Sequence, residues 1–244
     1  MLMRYKNLII IGTSHIARQS VEEIEKAFET YFPDIVALEL DRKRLYSMTH
    51  EKKRRLTFRD IRRVGIKGFL FNLFGAFIEN KLGKYVGVKP GSEMMKALSL
   101  AKKKNAQLAL IDQDIEITLK RISKKVTWKE KFRIVADIFK GLMFRKSQLK
   151  EIGLDDVKTI DLSKVPPKKL IKKITQQVKK RYPNLYSVLI DERNNVMASN
   201  LSILMHQNPD KKILAVVGAG HEDELVELIK RYSKLSYSFE VKDD

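Results

Sequence analysis

The apolar and polar positions of residues 7–41 follow a strand pattern, then a helix pattern, and then a second strand pattern. An apolar run from Leu8 to Ile11 stops at Gly12, and a second apolar run extends from Ile35 to Leu40. Between the two runs, apolar residues recur at the three- and four-residue spacing of a helix, at Val21, Ile24 and Phe28. The pattern predicts a strand–helix–strand unit whose two parallel strands end at the same edge of a sheet.

A second strand-to-helix junction lies near the other end of the chain. The apolar run that follows Lys212 breaks at Gly218, and an apolar helical pattern begins after His221. A last strand is predicted from Leu235 to Val241. Both junctions, 12–15 and 218–221, carry Gly-x-x-His. In this position a glycine permits a tight turn, and the helix dipole favours a neutral imidazole that can bind a metal or accept a proton.

The middle of the chain contains one further strand pattern. A third buried strand is predicted from Gln107 to Ile111, and Ser92 is expected to cap the helix before it. Residues 115–207 show no strand pattern, and helices are predicted from Lys168 to Arg181 and from Tyr186 to His206. Within the last of these, 191–195 are all charged or amide residues, so at least one should turn inward. Trp128 is expected in the core.

These patterns predict an α/β fold with a mostly parallel central sheet flanked by helices. We expect one domain over residues 1–244, with its core at 5–112 and 183–241. Helical insertions are expected at about 42–86 and 115–182, the second of them large and basic. The apolar stretch 66–78 is too short to span a bilayer and is expected as a buried helix or a homodimer interface, with a membrane-surface or lid helix as the alternative.

Composition and charge narrow the functional classes. The 244 residues carry a net charge of +19 and contain no cysteine, which excludes a disulfide framework and thiolate metal ligands. No segment resembles a signal peptide or a transmembrane span, so a cytoplasmic protein is expected. Basic residues are not interleaved with aromatic ones, which disfavours nucleic acid as a partner. Peripheral contact with an anionic membrane and a lysine-rich surface typical of heat-adapted proteins are both open.

The candidate chemical residues follow the ends of the predicted strands. Ligands bind at the carboxyl ends of strands in open α/β sheets, which singles out His15, Glu39, Asp112 and His221. Glu93 falls in the first turn of a helix, where it could serve a site or complement the dipole. The other two histidines, at 50 and 206, are expected to be ordinary surface or helix-end residues.

The motifs, taken in order, resemble those of the TraB/PrgY family of pheromone-shutdown proteins, which is related to the Tiki proteases. The resemblance rests on the two Gly-x-x-His motifs, on the Glu-Leu-Asp segment 39–41, on segments 89–94 and 110–115, and on Asp-Glu-Arg at 191–193 with Met-Ala at 197–198. It covers about residues 7–231. The chain departs from relatives that continue into membrane spans, and from those with an Asp-Arg-Asp-like run where this chain has Asp-Gln-Asp at 112–114.

The resemblance implies a metal-dependent peptidase-like site. His15 and His221 would bind one divalent ion, Mn, Co or Zn, together with Glu39 or Glu192. The remaining glutamate would be the general base, and Arg193 would hold an oxyanion or a substrate carboxylate. Four further residues are candidates for contacts with a peptide or small-molecule substrate: Ser14, Glu93, Asp112 and Met197.

Three alternatives remain open from the sequence. The same residues could hydrolyse an ester or amide without metal, with His15 as the base, since an antibiotic esterase shares a related fold. The pocket could instead sequester a hydrophobic peptide or small ligand and catalyse nothing. Binding of a membrane surface or nucleic acid through the basic helical region is the third. A dinucleotide-binding site is excluded, because the motif at 218–220 lacks the third glycine at the required spacing and the motif at 12–14 lacks the second.

Overall fold

The computed structural model describes residues 2–13, 18–50, 91–143 and 167–236. These form an α/β fold with a mixed, mostly parallel sheet of five strands, as predicted. The strands are β1 Leu2–Tyr5, β2 Leu8–Thr13, β3 Ile35–Leu38, β4 Gln107–Leu110 and β5 Ile213–Gly218. The helices are α1 Arg18–Tyr31, α2 Arg42–Thr49, α3 Ser92–Lys103, α4 Ile115–Lys125, α5 Trp128–Met143, α6 Lys168–Arg181, α7 Pro183–Tyr186, α8 Glu192–Gln207 and α9 Glu222–Ser236. A π-helical turn, Ser187–Asp191, joins α7 to α8.

The sheet has the order β1-β2-β5-β3-β4, which makes β5 its central strand. β2 and β3 both pair with β5 in parallel, and the register sets Thr13 opposite Gly218 and Leu38 opposite Val216. Only β1 runs antiparallel, and Lys6, in the turn that joins it to β2, has a positive φ of 52°. β2 and β5, the strands that lead into the two Gly-x-x-His motifs, therefore end side by side, and β5 ends next to β3.

Two hydrophobic cores enclose the sheet, one on each face. Alternate residues of the central strands pack on one side against α8 and α9, around Met197 and Leu201. The residues between them pack on the other side against α1 and α3, around Ile24 and Ala97. Because β2 and β3 are buried on both faces, they appear in the sequence as continuous apolar runs.

Several local predictions are corrected by the structure. Ser92 is the first residue of α3 and makes no capping hydrogen bond, because Gly91, with φ of 80°, holds the N-cap position. α9 continues to Ser236, so the strand predicted from Leu235 is wrong at its start, and residues 237–241 lie outside the described part. Trp128 is 60% exposed instead of lying in the core; its ring lies on the surface of α5 beside that of Phe132, with 6.0 Å between the ring centroids and an angle of 33° between the ring planes.

Other predictions agree with the structure or fall outside it. α6 covers Lys168–Arg181, as predicted, and the predicted helix from Tyr186 begins with the π-helical turn and continues as α8. The apolar stretch 66–78 lies outside the described residues. Within the described ranges, no helix is both long enough and apolar enough to cross a membrane.

Candidate active site at the carboxyl edge of the sheet

Glu39 lies at the centre of the polar residues that follow the strand ends. It leaves β3 beside the central strand and is only 2% exposed. Its Oε2 accepts a hydrogen bond of 2.5 Å from the backbone N–H of Gly218, the first residue of the second Gly-x-x-His motif. The Glu-Leu-Asp segment thus divides its two carboxylates: Glu39 faces the site, whereas Asp41 caps α2 through Lys43 N and Arg44 N.

Arg193 of α8 joins two buried carboxylates from neighbouring strand ends. It donates from Nε to Asp112 Oδ1 at 3.0 Å and from Nη2 to Asp112 Oδ2 at 2.8 Å. Nη2 also donates to Glu39 Oε1. Burial lowers the pKa of Arg193, but the two carboxylates outweigh it and hold that pKa above its usual value. Arg193 is therefore a fixed cation in a nearly dry site, where its field is screened weakly.

His221 is held in one tautomer by α8. Asn194 donates from Nδ2 to Glu224 Oε2 at 2.8 Å, which turns its amide oxygen toward His221 Nδ1 at 2.5 Å. An amide oxygen can only accept, so Nδ1 carries a proton, and when the ring is neutral its lone pair is on Nε2. Nε2 lies 3.4 Å from Glu39 Oε1 and 3.4 Å from Arg193 Nη1. A histidine oriented in this way can accept a proton or bind a metal.

The two Gly-x-x-His motifs meet through their glycines and the residues beside them. Ala219 N donates to Thr13 O at 2.8 Å, which ties the end of β2 to the loop after β5. A Cβ on Gly12 would overlap the carboxylate of Glu222, and a Cβ on Gly218 would lie 3.3 Å from Glu39 Oε2. In both motifs, therefore, the glycine leaves room for a buried carboxylate.

Glu222 directly follows His221 and is 1% exposed. Burial raises the pKa of its carboxyl above the usual value. The sequence pattern gave no reason to single out Glu222, since an acidic residue in the first turn of a helix commonly just complements the dipole. Glu222 lies close to Gly12 because of the register in which β2 pairs with β5, and that register cannot be read from the sequence.

The predicted site residues fall into separate groups. Glu39, Asp112, Arg193 and His221 come together in one cluster. Glu192 instead forms ion pairs with Arg121 at 2.5 Å and with Lys125 at 2.6 Å. Burial raises the pKa of Glu192, but the two cations lower it by more, so that the pKa lies below its usual value. Two others are buried elsewhere: Met197 lies in the core against the sheet, and Glu93 is 1% exposed in the first turn of α3. Ser14 and His15 lie outside the described residues, so their roles stay predictions.

His50 and His206 are exposed, in agreement with the prediction that they are ordinary surface or helix-end residues.

Asn194, Glu224 and Arg44 belong to the site but were not predicted. Arg44 donates to Asp112 Oδ2 at 3.1 Å from the start of α2. The sequence did hold one relevant signal, the run of charged and amide residues at 191–195, from which at least one was expected to turn inward. Arg193 and Asn194 both do so, which confirms that expectation.

A metal ion would find two of its ligands in the described part of the chain. Glu39 Oε1 and His221 Nε2, 3.4 Å apart, have the separation of two ligands on one tetrahedral ion, about 3.3 Å for bonds of about 2.0–2.1 Å. Within the described ranges, no group of three His, Cys, Asp or Glu residues is arranged to hold an ion. A complete site would therefore need a further ligand, a role for which the sequence offers His15.

Comparison with known proteins gives consistent matches. A family model described as the TraB/PrgY/gumN family matches residues 4–231. The chain is 35% identical over 229 residues to the uncharacterized protein MJ1365 of Methanocaldococcus jannaschii. This alignment covers 92% of the chain and 54% of that protein. The chain is 21% identical over 196 residues to the TraB domain-containing proteins of Homo sapiens and Mus musculus, covering 76% of the chain and 49% of each relative. The chain thus spans about half the length of the curated relatives it matches.

Proposed function

The chain belongs to the TraB/PrgY/gumN family, and we propose that it is a metal-dependent hydrolase that acts on peptides. The observation that carries the proposal is the pairing of Glu39 Oε1 with His221 Nε2 at 3.4 Å, beside the cation of Arg193. These groups are buried at the carboxyl edge of a parallel sheet, where the active sites of open α/β folds are found.

The donor set suits a divalent ion. Glu39 offers a carboxylate oxygen, and His221 offers Nε2, the ring nitrogen opposite the one that Asn194 contacts. His15 is the third ligand that we propose from the sequence. A divalent ion held there would supply Lewis acidity and lower the pKa of a water molecule. Because Arg193 donates to the same Glu39 oxygen, ion binding would cost that hydrogen bond but leave the pairing of Arg193 with Asp112 in place.

Arg193 supplies the positive charge that hydrolysis of an amide needs. Negative charge develops on the carbonyl oxygen of the substrate in the transition state, and a preorganised cation in a dry site stabilises it. Asp112 fixes the plane of the guanidinium through two hydrogen bonds, while Nη1 remains directed toward His221. A substrate oxygen would therefore share the N–H groups of Nη1, which donate to Leu189 O at 3.2 Å and lie 3.4 Å from His221 Nε2.

A matched pair of glutamates tests the proposal. Glu39 and Glu192 are both candidates from the sequence, and only Glu39 lies in the cluster with His221. We expect a peptide library incubated with Mn²⁺, Co²⁺ or Zn²⁺ to be cleaved by the wild type and by Glu192→Gln, and to stay intact with Glu39→Gln. Mass spectrometry of the library gives the readout.

Each other outcome has a distinct meaning. Cleavage that survives in Glu39→Gln but is lost in Glu192→Gln would show that the essential carboxylate is Glu192 instead of Glu39 and would refute our assignment. A library left intact by the wild type with every metal would refute hydrolysis of peptides and favour a protein that sequesters its ligand.

A metal-free hydrolase is the second candidate, and one observation favours it. Arg193 already donates to Glu39 Oε1, the carboxylate oxygen that a metal would use. His221 Nε2 could then serve as a general base for ester or amide hydrolysis. Cleavage in the presence of a chelator, abolished by His221→Ala, would establish this alternative over the metal-dependent reaction.

A further inference from the structure

The helix α6 carries a stripe of lysines on its exposed side, which we call the lysine face. At 100° per residue these lysines fall within an arc of about 100°, and they extend over about 17 Å of the helix axis. None of them has an ion-pair partner in the described part of the chain, whereas the other three basic residues of α6 each pair with an aspartate. The lysine face consists of Lys169, Lys172, Lys173 and Lys180.

The opposite side of α6 holds the helix against the protein. Its apolar residues are partly buried, among them Ile171, Ile174 and Val178. The sequence of α6 contains no acidic residue, so no carboxylate three or four positions away compensates the lysines, as one commonly does on a solvated helix. The lysine face therefore presents four uncompensated positive charges to solvent.

An exposed aromatic pair borders the lysine face. Trp128 and Phe132, one helical turn apart on α5, are 60% and 69% exposed. The residue after Phe132, Arg133, donates from Nη1 to the backbone oxygen of Arg181 at 2.8 Å, and Arg181 in turn forms an ion pair with Asp137 of α5. These contacts hold the aromatic pair next to the C-terminal end of the lysine face.

The chemistry of the two features matches the surface of an anionic lipid bilayer. Tryptophan favours the boundary between lipid headgroups and acyl chains, and lysines are attracted to anionic headgroups. Lys131 Nζ lies 5.3 Å from the centroid of the Trp128 ring, so a cation accompanies the aromatic pair as well. Single-stranded nucleic acid is a poorer match, because it needs a groove in which bases stack on aromatic rings along a basic track, and here the aromatic pair and the lysine face lie on different helices.

We propose that α5 and α6 together form a docking surface for an anionic membrane. Trp128 and Phe132 enter the headgroup region, and the lysine face rests on anionic headgroups beside them. The inference is independent of the proposed function, because none of these residues belongs to the cluster around Glu39 and His221.

Fluorescence of the full chain tests the proposal, because Trp128 is its only tryptophan. With vesicles of equal parts phosphatidylglycerol and phosphatidylcholine, the emission should shift to shorter wavelengths, and lipids brominated near the headgroup should quench it. With vesicles of phosphatidylcholine alone, the emission should stay unchanged. The shift should diminish as salt is added, since screening weakens the attraction of the lysines to the membrane.

Two quadruple variants locate the charges that bind. Replacing the four residues of the lysine face by Gln should weaken sedimentation with anionic vesicles by about a hundredfold or more, since each lysine near such a surface contributes about fivefold. The control removes the same charge from exposed lysines outside α5 and α6 and should bind within about threefold of the wild type. It replaces Lys102, Lys103, Lys104 and Lys211 by Gln.

A second pair of variants tests the aromatic contribution. Trp128→Ala combined with Phe132→Ala should weaken vesicle binding by about tenfold or more, because two large apolar side chains no longer leave water. Phe32→Ala combined with Tyr46→Ala is the control and should bind like the wild type, since it removes two exposed aromatic residues from elsewhere on the chain.

Each of four other results would overturn the proposal. These are equal binding to both kinds of vesicle or to neither, equal losses in the two quadruple variants, and an unshifted Trp128 emission on sedimented vesicles. The fourth is tighter binding of a polyuridine oligonucleotide than of anionic vesicles, which would assign the lysine face to nucleic acid.

Discussion

The guanidinium of Arg193 binds the carboxylate of Asp112 through two hydrogen bonds, from Nε to Oδ1 at 3.0 Å and from Nη2 to Oδ2 at 2.8 Å. The side chain of Asp112 is 2% exposed, and that of Arg193 is 14% exposed. Bidentate pairs of an arginine with a carboxylate are stronger than neutral hydrogen bonds and fix the relative orientation of the two groups. This pair connects α8 to the end of β4 and fixes the cation beside Glu39 and His221.

Arg193→Ala should therefore destabilise the fold strongly. It would leave two buried carboxylates, Asp112 and Glu39, short of their main cation, and breaking a buried pair costs about 3–5 kcal/mol. Arg181→Ala is the control, because Arg181 makes a comparable pair with Asp137 but is 48% exposed, and such pairs contribute about 1 kcal/mol or less. Denaturant unfolding measures both. Equal losses of the free energy of unfolding would contradict the account.

The two glycines at positions 12 and 220 should respond oppositely to alanine. A methyl group on Gly12 would overlap the buried carboxylate of Glu222, so Gly12→Ala should lose about 1–3 kcal/mol of stability, as other overpacked sites do. A methyl group on Gly220 meets no atom within 4 Å, so Gly220→Ala should change stability little or increase it slightly. Thermal unfolding of the two variants is the measurement, and a Gly12→Ala protein as stable as the wild type would refute the close approach of Glu222.

Strand ends were the part of the site that the sequence could predict. The apolar runs that precede Glu39 and His221 identify buried parallel strands, and the carboxyl ends of such strands must meet at one edge. The roles of the residues of α8 could not be predicted in this way. The π-helical turn at Ser187–Asp191 departs from the 3.6-residue period, so periodicity alone does not tell which of residues 191–195 face inward.

The wrong predictions have different physical reasons, and the missed residues have a common one. Trp128 looked like a core residue because large aromatic side chains usually are, but it stays 60% exposed and contacts Phe132 of its own helix. Leu235 looked like the start of a strand, but it belongs to α9, which packs along α8 and continues to Ser236. Glu222 and Asn194 were missed because their importance depends on neighbours far away in sequence, Gly12 and His221.

We expect Asn194→Ala to remove the preference of His221 for a proton on Nδ1. Asn194 fixes the proton on Nδ1 because its own amide is oriented by Glu224. In the wild type, nitrogen-15 NMR should show His221 protonated on Nδ1, and in Asn194→Ala the ring should show a mixture of forms. Exposed His206 gives the control spectrum, which should be the same in both proteins. A wild-type His221 protonated on Nε2 would overturn the assignment of its lone pair.

Stability at high pH should depend on Tyr186. Burial, with Glu224 and Asp191 nearby, raises the pKa of Tyr186 to about 12, above its usual value of about 10. The folded protein then holds this proton more tightly than the unfolded chain does, so the contribution is complete below about pH 10 and is lost as the pH rises toward 12. Between these values the wild type should lose stability faster than Tyr186→Phe. Parallel pH profiles would show that Tyr186 titrates normally.

Metal content is the most direct test of the proposed site. After incubation with Mn²⁺, Co²⁺ or Zn²⁺ and removal of free ions, elemental analysis should find about one ion per chain in the wild type. The same content is expected in His206→Ala, which removes an exposed histidine. His221→Ala and His15→Ala should both lose the ion while their circular dichroism remains that of a folded α/β protein. Metal bound equally by the wild type and by a folded His221→Ala protein would contradict the central claim that Glu39 and His221 share one ion.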